Sequence, residues 1–340
     1  MSWRRVKLRF VGSLEIEFVD RNVGIRQVEE FAVKGTPYPL VIYGPEGCGK
    51  TALLRQAALI LEDAGYDVVY VNPMARVEKE VLRFSSSMRE IVRDALKTMS
   101  EPYSRIDDVV ITVAHEALRR LRRPRLAVLM DDVFQAVGFE RAESYVKAML
   151  NLIEYPPGDY DRIVVIITSS EGVTRWRVGR HRWAVLRVMW NMEERGFKEL
   201  YQAVPGSKLL DPEEVWKITG GNPDVLRRLY TVDWRVETVV GDMTLSKGLV
   251  PGLVERWRED LERALEDPDY LWSASGDVEA LARKLVELNL IAYGLPPRLQ
   301  DYWIDTPPPE KDLEMGIGRF VAWQTPLHRE AVKNALINVE

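Results

Sequence analysis

A chain of 340 residues with 46% apolar, 29% charged and 9% aromatic residues has the composition of a folded protein of about two domains. This excludes intrinsic disorder, a collagen-like repeat and a disulfide scaffold. The net charge of −5 does not mark a general nucleic-acid binder, and its distribution sharpens that reading. Residues 236–340 carry 11 Lys and Arg against 19 Asp and Glu, a balance of −8, which leaves +3 for residues 1–235.

The one cysteine, Cys48, excludes intrachain disulfides and cysteine-cluster zinc sites and suits a reducing compartment. The histidines, His115, His181 and His328, are too far apart to form a local metal motif. No apolar stretch reaches the ~18 residues of a membrane span, and MSWRRVKLRF has no signal-peptide core. A cytoplasmic chain with no membrane partner is expected.

In chain order, Val6–Val11 and Leu14–Val19 read as short strands around Gly12-Ser13, followed by a helix from Val23 to Val33. Leu40–Tyr43 is a continuous apolar run, the pattern of a strand buried on both faces. A glycine-rich turn leads into a helix over Lys50–Ala64, with Gly65 at its C-terminal cap. Further strands are expected at Asp67–Val71, Leu126–Met130, Ile163–Thr168 and Ala184–Val188, with helices over Val77–Met99 and Val109–Leu121 between them. Alternating strands and helices predict a parallel sheet covered on both faces.

After residue 190 the pattern becomes helical over Met192–Val204, Pro212–Thr219 and Pro223–Tyr230. Thr231–Val254 has little periodicity, and an acidic helix follows over Val254–Leu265. The end reads as a helix (Asp277–Leu290), a strand (Arg319–Trp323) and a helix (Pro326–Ile337) that Thr325 caps. Pro-rich Thr306–Glu310 reads as a loop tip between hairpin strands. There is no internal repeat or low-complexity tract.

The strongest chemical signal is Gly44-Pro45-Glu46-Gly47-Cys48-Gly49-Lys50-Thr51, which matches G-x-x-x-x-G-K-[ST] between a buried strand and a helix. Glycines let backbone N–H groups curl around phosphates, and the helix N-terminus adds partial positive charge. In this pattern Gly44, Pro45, Glu46, Gly47, Cys48, Gly49, Lys50, Thr51 and Ala52 are expected to form the phosphate cradle of a nucleotide site, the alternative being a chance turn before a helix. Lys50 bridges the β- and γ-phosphates, and the Thr51 hydroxyl holds Mg²⁺.

Leu126–Met130 ends in Asp131-Asp132. Behind a phosphate loop, Asp131 is placed to hold the Mg²⁺ through its water shell and Asp132 to polarise the attacking water. Standing alone, a strand ending in Asp-Asp only enters a loop. The Ile163–Ile167 run ends in Thr168-Ser169-Ser170, whose polar tip either contacts the γ-phosphate, with Ser170 the candidate, or caps the strand.

Arg175-Trp176-Arg177-Val178-Gly179-Arg180-His181-Arg182-Trp183 is rich in arginine and tryptophan and free of acids. It offers three readings: an arginine that stabilises the transferring phosphoryl group, a stacking platform for single strands, or a solvated basic loop. Thr219-Gly220-Gly221-Asn222-Pro223 supplies a helix cap and first-turn proline, a complete structural role in itself.

In this order the motifs resemble the archaeal ATPase family of the STAND class (signal transduction ATPases with numerous domains), relatives of AAA+ and origin-recognition ATPases. The resemblance runs from Phe18 to about Leu336. Phe18-Val19-Asp20-Arg21 is similar to the family's entry motif near the adenine pocket, which makes Arg21 a nucleotide-binding candidate. Gly179-Arg180 is similar to the Gly-Arg after the sensor strand, and Gly220-Gly221-Asn222-Pro223 to the lid motif whose proline approaches adenine. Ala322–Leu327 resembles the end of the family's winged-helix domain. The chain departs from the family in carrying Asp-Asp for Asp-Glu and Ser169 for a glycine.

The resemblance implies an α/β P-loop NTPase with an AAA+-like three-layer parallel sheet (residues 1–190), a helical lid (191–235) and a C-terminal winged-helix-like domain (236–340). Its expected chemistry is Mg²⁺-dependent ATP binding and slow hydrolysis, with Lys50, Asp132 and Arg180 catalytic, serving a nucleotide-driven switch with a protein partner. Two other readings are a DNA-binding origin-recognition-like loader, which the acidic C-terminal region disfavours, and a nucleotide-holding scaffold without catalysis.

Overall fold

The computed structural model describes residues 3–75, 81–98, 106–170, 174, 178–179, 182–206, 210–272 and 275–338. It begins with an antiparallel hairpin, β1 (Lys7–Val11) and β2 (Leu14–Glu17). Helix α1 (Asn22–Lys34), β3 (Leu40–Tyr43), α2 (Lys50–Asp63) and β4 (Asp67–Val71) follow, then β5 (Leu82–Phe84), α3 (Arg89–Thr98) and α4 (Ile106–Arg120). Next come β6 (Arg125–Met130), α5 (Val133–Val137), α6 (Phe139–Glu154), β7 (Arg162–Ser169) and β8 (Val185–Met189).

A helical stretch takes over with α7 (Glu194–Ala203), α8 (Pro212–Thr219), α9 (Pro223–Thr231), α10 (Val236–Ser246), α11 (Pro251–Arg256), α12 (Arg258–Glu266) and α13 (Asp277–Glu287). The chain closes with β9 (Ile291–Tyr293), β10 (Trp303–Ile304), β11 (Val321–Trp323) and α14 (Pro326–Ile337).

Seven strands form the central sheet in the order β10-β8-β3-β7-β6-β4-β5. All neighbours are parallel except β4 and β5. The apolar runs of β3, β6 and β7 serve both faces, because successive side chains in a strand point to opposite sides. Val41, Val128, Val165 and Ile167 pack with α3, α4 and α6 on one face. Leu40, Ile42, Ala127, Leu129, Val164 and Ile166 pack with α1 and α2 on the other. The result is the expected three-layer α/β core.

The register pairs Tyr43 with Ser169 and Met130 with Ile167. The loop after β3, the acids after β6 and the polar tip of β7 therefore meet at one edge of the sheet, where ligands of open α/β sheets bind.

Two expectations are corrected. Residues 77–99 do not form one helix. Leu82–Phe84 is an antiparallel edge strand, with Val69 opposite Phe84, and Ser85–Met88 separates it from α3. The helix-like spacing of apolar residues there is the alternation of a short strand running into an amphipathic helix. Nor does Thr306–Glu310 join hairpin strands. The strand before it, β10, runs parallel to β8, pairing Trp303 with Val188 and Ile304 with Met189.

A second core gathers α9 to α14 with the antiparallel pair β9 and β11. A smaller cluster joins α7, α8 and α9 to Ile16 of the first hairpin. Among the described residues no helix is long and apolar enough to cross a membrane.

Candidate functional site

The phosphate loop leaves β3 at Gly44 and enters α2 at Lys50. Glycine is demanded at two of its positions by close approach. A Cβ on Gly44 would lie 2.0 Å from the Met189 carbonyl of β8, and one on Gly47 would lie 2.3 Å from Asp224 Cβ at the start of α9. Helix α2 has no side-chain cap and no acid in its first turn, so its leading N–H groups and positive dipole end face the loop without a competing carboxylate.

Lys50 is buried, and its ammonium donates to the Gly44 and Pro45 carbonyls at 3.0 and 2.8 Å. These bonds satisfy a buried cation without a carboxylate. They also place the charge within the loop, where a phosphate group would be neutralised.

At the α2 end the loop meets the acidic pair. Asp131 Oδ1 accepts from Thr51 Oγ1 at 3.1 Å and Thr168 Oγ1 at 2.7 Å. Its Oδ2 accepts from the Tyr70 hydroxyl at 2.8 Å and Asn72 Nδ2 at 3.2 Å. Burial pushes the Asp131 carboxyl above the usual carboxylate range, against the pull of the Thr168, Tyr70 and Thr51 hydroxyls. The Thr51 hydroxyl and the Asp131 carboxylate make an all-oxygen donor pair of the kind hard divalent cations take. Among the described residues no group of three or more His, Cys, Asp or Glu is arranged to hold a metal.

Asp132 adopts the left-handed conformation, φ 52°, and its Oδ1 accepts the Ser170 N–H at 3.0 Å. Its own N–H donates to Thr168 Oγ1 at 3.1 Å. The polar tip of β7 thus reaches the acidic pair through the Thr168 side chain and the Ser170 backbone. Ser169 turns the other way, into a buried contact with Thr174.

The Glu46 end is held from farther along the chain. The Glu46 N–H donates to Gln324 Oε1 at 2.9 Å, and the Glu46 carbonyl accepts from Asn222 Nδ2 at 2.9 Å. Its carboxylate pairs with Lys247 Nζ at 2.8 Å, and the Gly47 carbonyl accepts the Asp224 N–H at 3.3 Å. Asn222 is fully buried and also caps α9, accepting from the Asp224 and Val225 N–H groups. Pro223 follows at the first turn of α9, with its Cγ 4.0 Å from where a Cβ on Gly49 would sit. The Gly-Gly-Asn-Pro segment accordingly does more than open a helix, since it touches the loop.

Arg21 has a different set of partners from a nucleotide contact. It is 3% exposed, and its guanidinium donates to the Cys48 carbonyl at 2.5 Å and to Asp305 at 2.9 Å. Arg180 lies outside the described residues, as do Arg175, Trp176, Arg177 and His181 of the same segment.

Sequence reasoning did not single out Tyr70, Asn72 or Thr168 on Asp131, nor Asn191, Asp305 and Gln324 around the loop. Only Thr168 carried a signal, as part of a polar strand tip.

No curated protein matches the chain. Among solved structures it is similar to the ORC1 protein of Aeropyrum pernix in complex with DNA, at 18% identity and TM-score 0.43, covering 94% of this chain and 93% of that one. It is also similar to AMPPCP-bound DnaA from Aquifex aeolicus, at 15% identity and TM-score 0.37, covering 79% and 78%. Residues 18–229, which hold the loop, the acidic pair and the Gly-Gly-Asn-Pro segment, match the family described as ATPase domains predominantly from Archaea, and the chain belongs to that family.

Proposed function

We propose that this ATPase binds ATP with Mg²⁺, hydrolyses it slowly, and uses the exchange between ATP and ADP to change the hold of its C-terminal segment on the phosphate loop. The observation that carries the reading is the bond from the Glu46 N–H to Gln324 Oε1. An amide within the loop that donates to Gln324 is one fewer donor for a phosphate oxygen, so phosphate and Gln324 compete for it. Asn191 Nδ2 donates to the Gln324 carbonyl at 2.7 Å, which keeps that residue seated between sheet and C-terminal segment.

Lys50 exchanges its loop carbonyls for phosphate oxygens, and Thr51 and Asp131 hold the metal. Bound Mg²⁺ would neutralise charge on the phosphates. Asp132, tied to the Ser170 N–H through one oxygen, orients the attacking water with the other. Pro223 and Asn222 bring the lid against the loop, where the base and the phosphates bias its position. Arg180 is assigned the γ-phosphate side. The two states can differ only by as much as the two nucleotides differ in affinity for them.

The order of α10 to α13, the antiparallel β9 and β11 pair and α14 supports a winged-helix-like reading of the C-terminal segment. Its balance of −8 counts against a role as an independent DNA reader, since such binding rests on Lys and Arg at phosphates.

The test is a distance measurement between dyes on Tyr38→Cys and Leu245→Cys, both exposed positions, in a chain whose one native cysteine is buried. Different distances in saturating ATP and ADP are expected. The same distance in both would overturn the switch.

A further inference from the structure

The segment Trp303–Asp305 is 282 or more residues from Arg21 in sequence, yet it enters the core as its edge strand and ends on Arg21. Asp305 is 3% exposed. Its Oδ2 accepts from Arg21 Nη1 at 2.9 Å and its Oδ1 from the Gly24 N–H at 3.1 Å. Gln27 completes the seat, donating to the Trp303 carbonyl and accepting the Asp305 N–H, both at 2.9 Å. The other arm of Arg21, Nη2, donates to the Cys48 carbonyl at 2.5 Å.

That last bond acts on the phosphate loop. In a trans peptide the carbonyl of one residue and the N–H of the next point in opposite directions. Holding the Cys48 carbonyl toward Arg21 therefore turns the Gly49 N–H to the face away from Arg21. Gly49 sits at φ 101°, a conformation open to glycine, and the Arg21 bond to the Cys48 carbonyl fixes which way that peptide faces. The guanidinium fork serves carboxylate and carbonyl together, with Asp305 fixing one arm and so aiming the other.

We propose that Arg21 and Asp305 form a positioning pair for the phosphate loop, so that β10 of the C-terminal segment is a working part of the nucleotide site. The proposal rests on the nucleotide-site reading above. It makes Arg21 a residue that acts on the nucleotide through the Gly49 amide, and it makes Asp305 the anchor of that action.

The test separates positioning from mere stability. A buried ion pair can be replaced by apolar residues of similar volume with little loss of fold, whereas removal of one partner strands a charge. Full-length Arg21→Met/Asp305→Leu strands no charge but leaves the Gly24 N–H and Cys48 carbonyl unpaired, so it is expected to fold and to melt a few degrees below the parent, while its ADP affinity by calorimetry falls about tenfold or more. Arg21→Lys is a second probe. It keeps a charge for Asp305 but has no fork to reach the carbonyl as well, so an intermediate loss of ADP affinity is expected.

Lys50→Ala is titrated alongside. Parent affinity in either Arg21 variant, with the Lys50→Ala loss intact, overturns the pair alone. Parent affinity in Lys50→Ala overturns the nucleotide-site reading, and the pair's role falls with it.

Discussion

Where α2 begins, the phosphate loop meets a carboxylate that the sheet itself supplies, whereas around Glu46 it is held by side chains from residues 222, 247 and 324. The first region is built into the sheet. Asp131 follows a strand with neighbours on both sides, and four donors from β4, α2, β7 and the β4 end saturate its oxygens. The second region depends on a segment with its own core, joined to the loop by a few polar contacts. The acidic pair is thus held by the sheet itself, while the Glu46 end is held by side chains from the helical and C-terminal elements. The contrast makes the two regions separable by mutation.

The largest expected effect lies in the sheet-held region. Asp131→Ala should lower turnover by roughly a hundredfold or more at saturating ATP and Mg²⁺. A parent rate in that variant would remove Asp131 from the chemistry. Asp132→Asn should lower turnover while ATP affinity by calorimetry stays near the parent value, since a general base contributes to the rate and not to ground-state binding.

Lys50→Ala comes next, with an expected loss in ATP affinity of ~30-fold from ~2 kcal/mol of charge-assisted bonding. It belongs to both regions and calibrates the other variants.

The C-terminal region has its own pH signature. His328 is buried against α14's cap, with its Nδ1 2.8 Å from Thr325 Oγ1. Burial lowers its pKa to about 3, aided by Lys247 and Arg228 and opposed by Asp224. The unfolded chain holds that proton below ~6.5 and the folded chain does not, so stability is full above ~6.5 and falls as pH drops toward 3. The slope approaches ~1.4 kcal/mol per pH unit, and His328→Asn should flatten it in melting curves taken across that window. An unchanged slope would place the acid sensitivity elsewhere.

The two regions also differ in how far the sequence revealed them. The phosphate loop and Asp131-Asp132 were legible because their chemistry lies in contiguous residues whose local geometry is set by a strand and a helix. Thr168 was half legible, as a polar end to an apolar run. Its contact with Asp131 depends on β7 lying between β3 and β6, a fact of sheet order.

Tyr70 and Asn72 depend on β4 flanking β6 on the other side. Gln324 and Asp305 are single polar residues beside Trp323 and Ile304, and no spacing rule ties them to Glu46 or Arg21. The three residues of the edge strand β5 are too few for their alternation to compete with the helix pattern that follows, so the sequence there reads as helix. Arg21 stands out in the sequence only by its place in an entry motif, whereas its partners come from the loop and from Asp305.

The smallest expected effect is the most telling, because its sign separates the alternatives. The central claim is that Gln324 occupies a donor of the phosphate loop in competition with nucleotide. Gln324→Ala removes the competitor and leaves the Glu46 N–H free to bind phosphate. Calorimetric titration of the parent and Gln324→Ala with ATP and Mg²⁺ measures this directly. A gain in ATP affinity of about three- to tenfold, the worth of one neutral hydrogen bond, is the predicted result. Equal or weaker binding in Gln324→Ala would mean that the C-terminal segment supports the loop and does not compete for it, and would contradict the account.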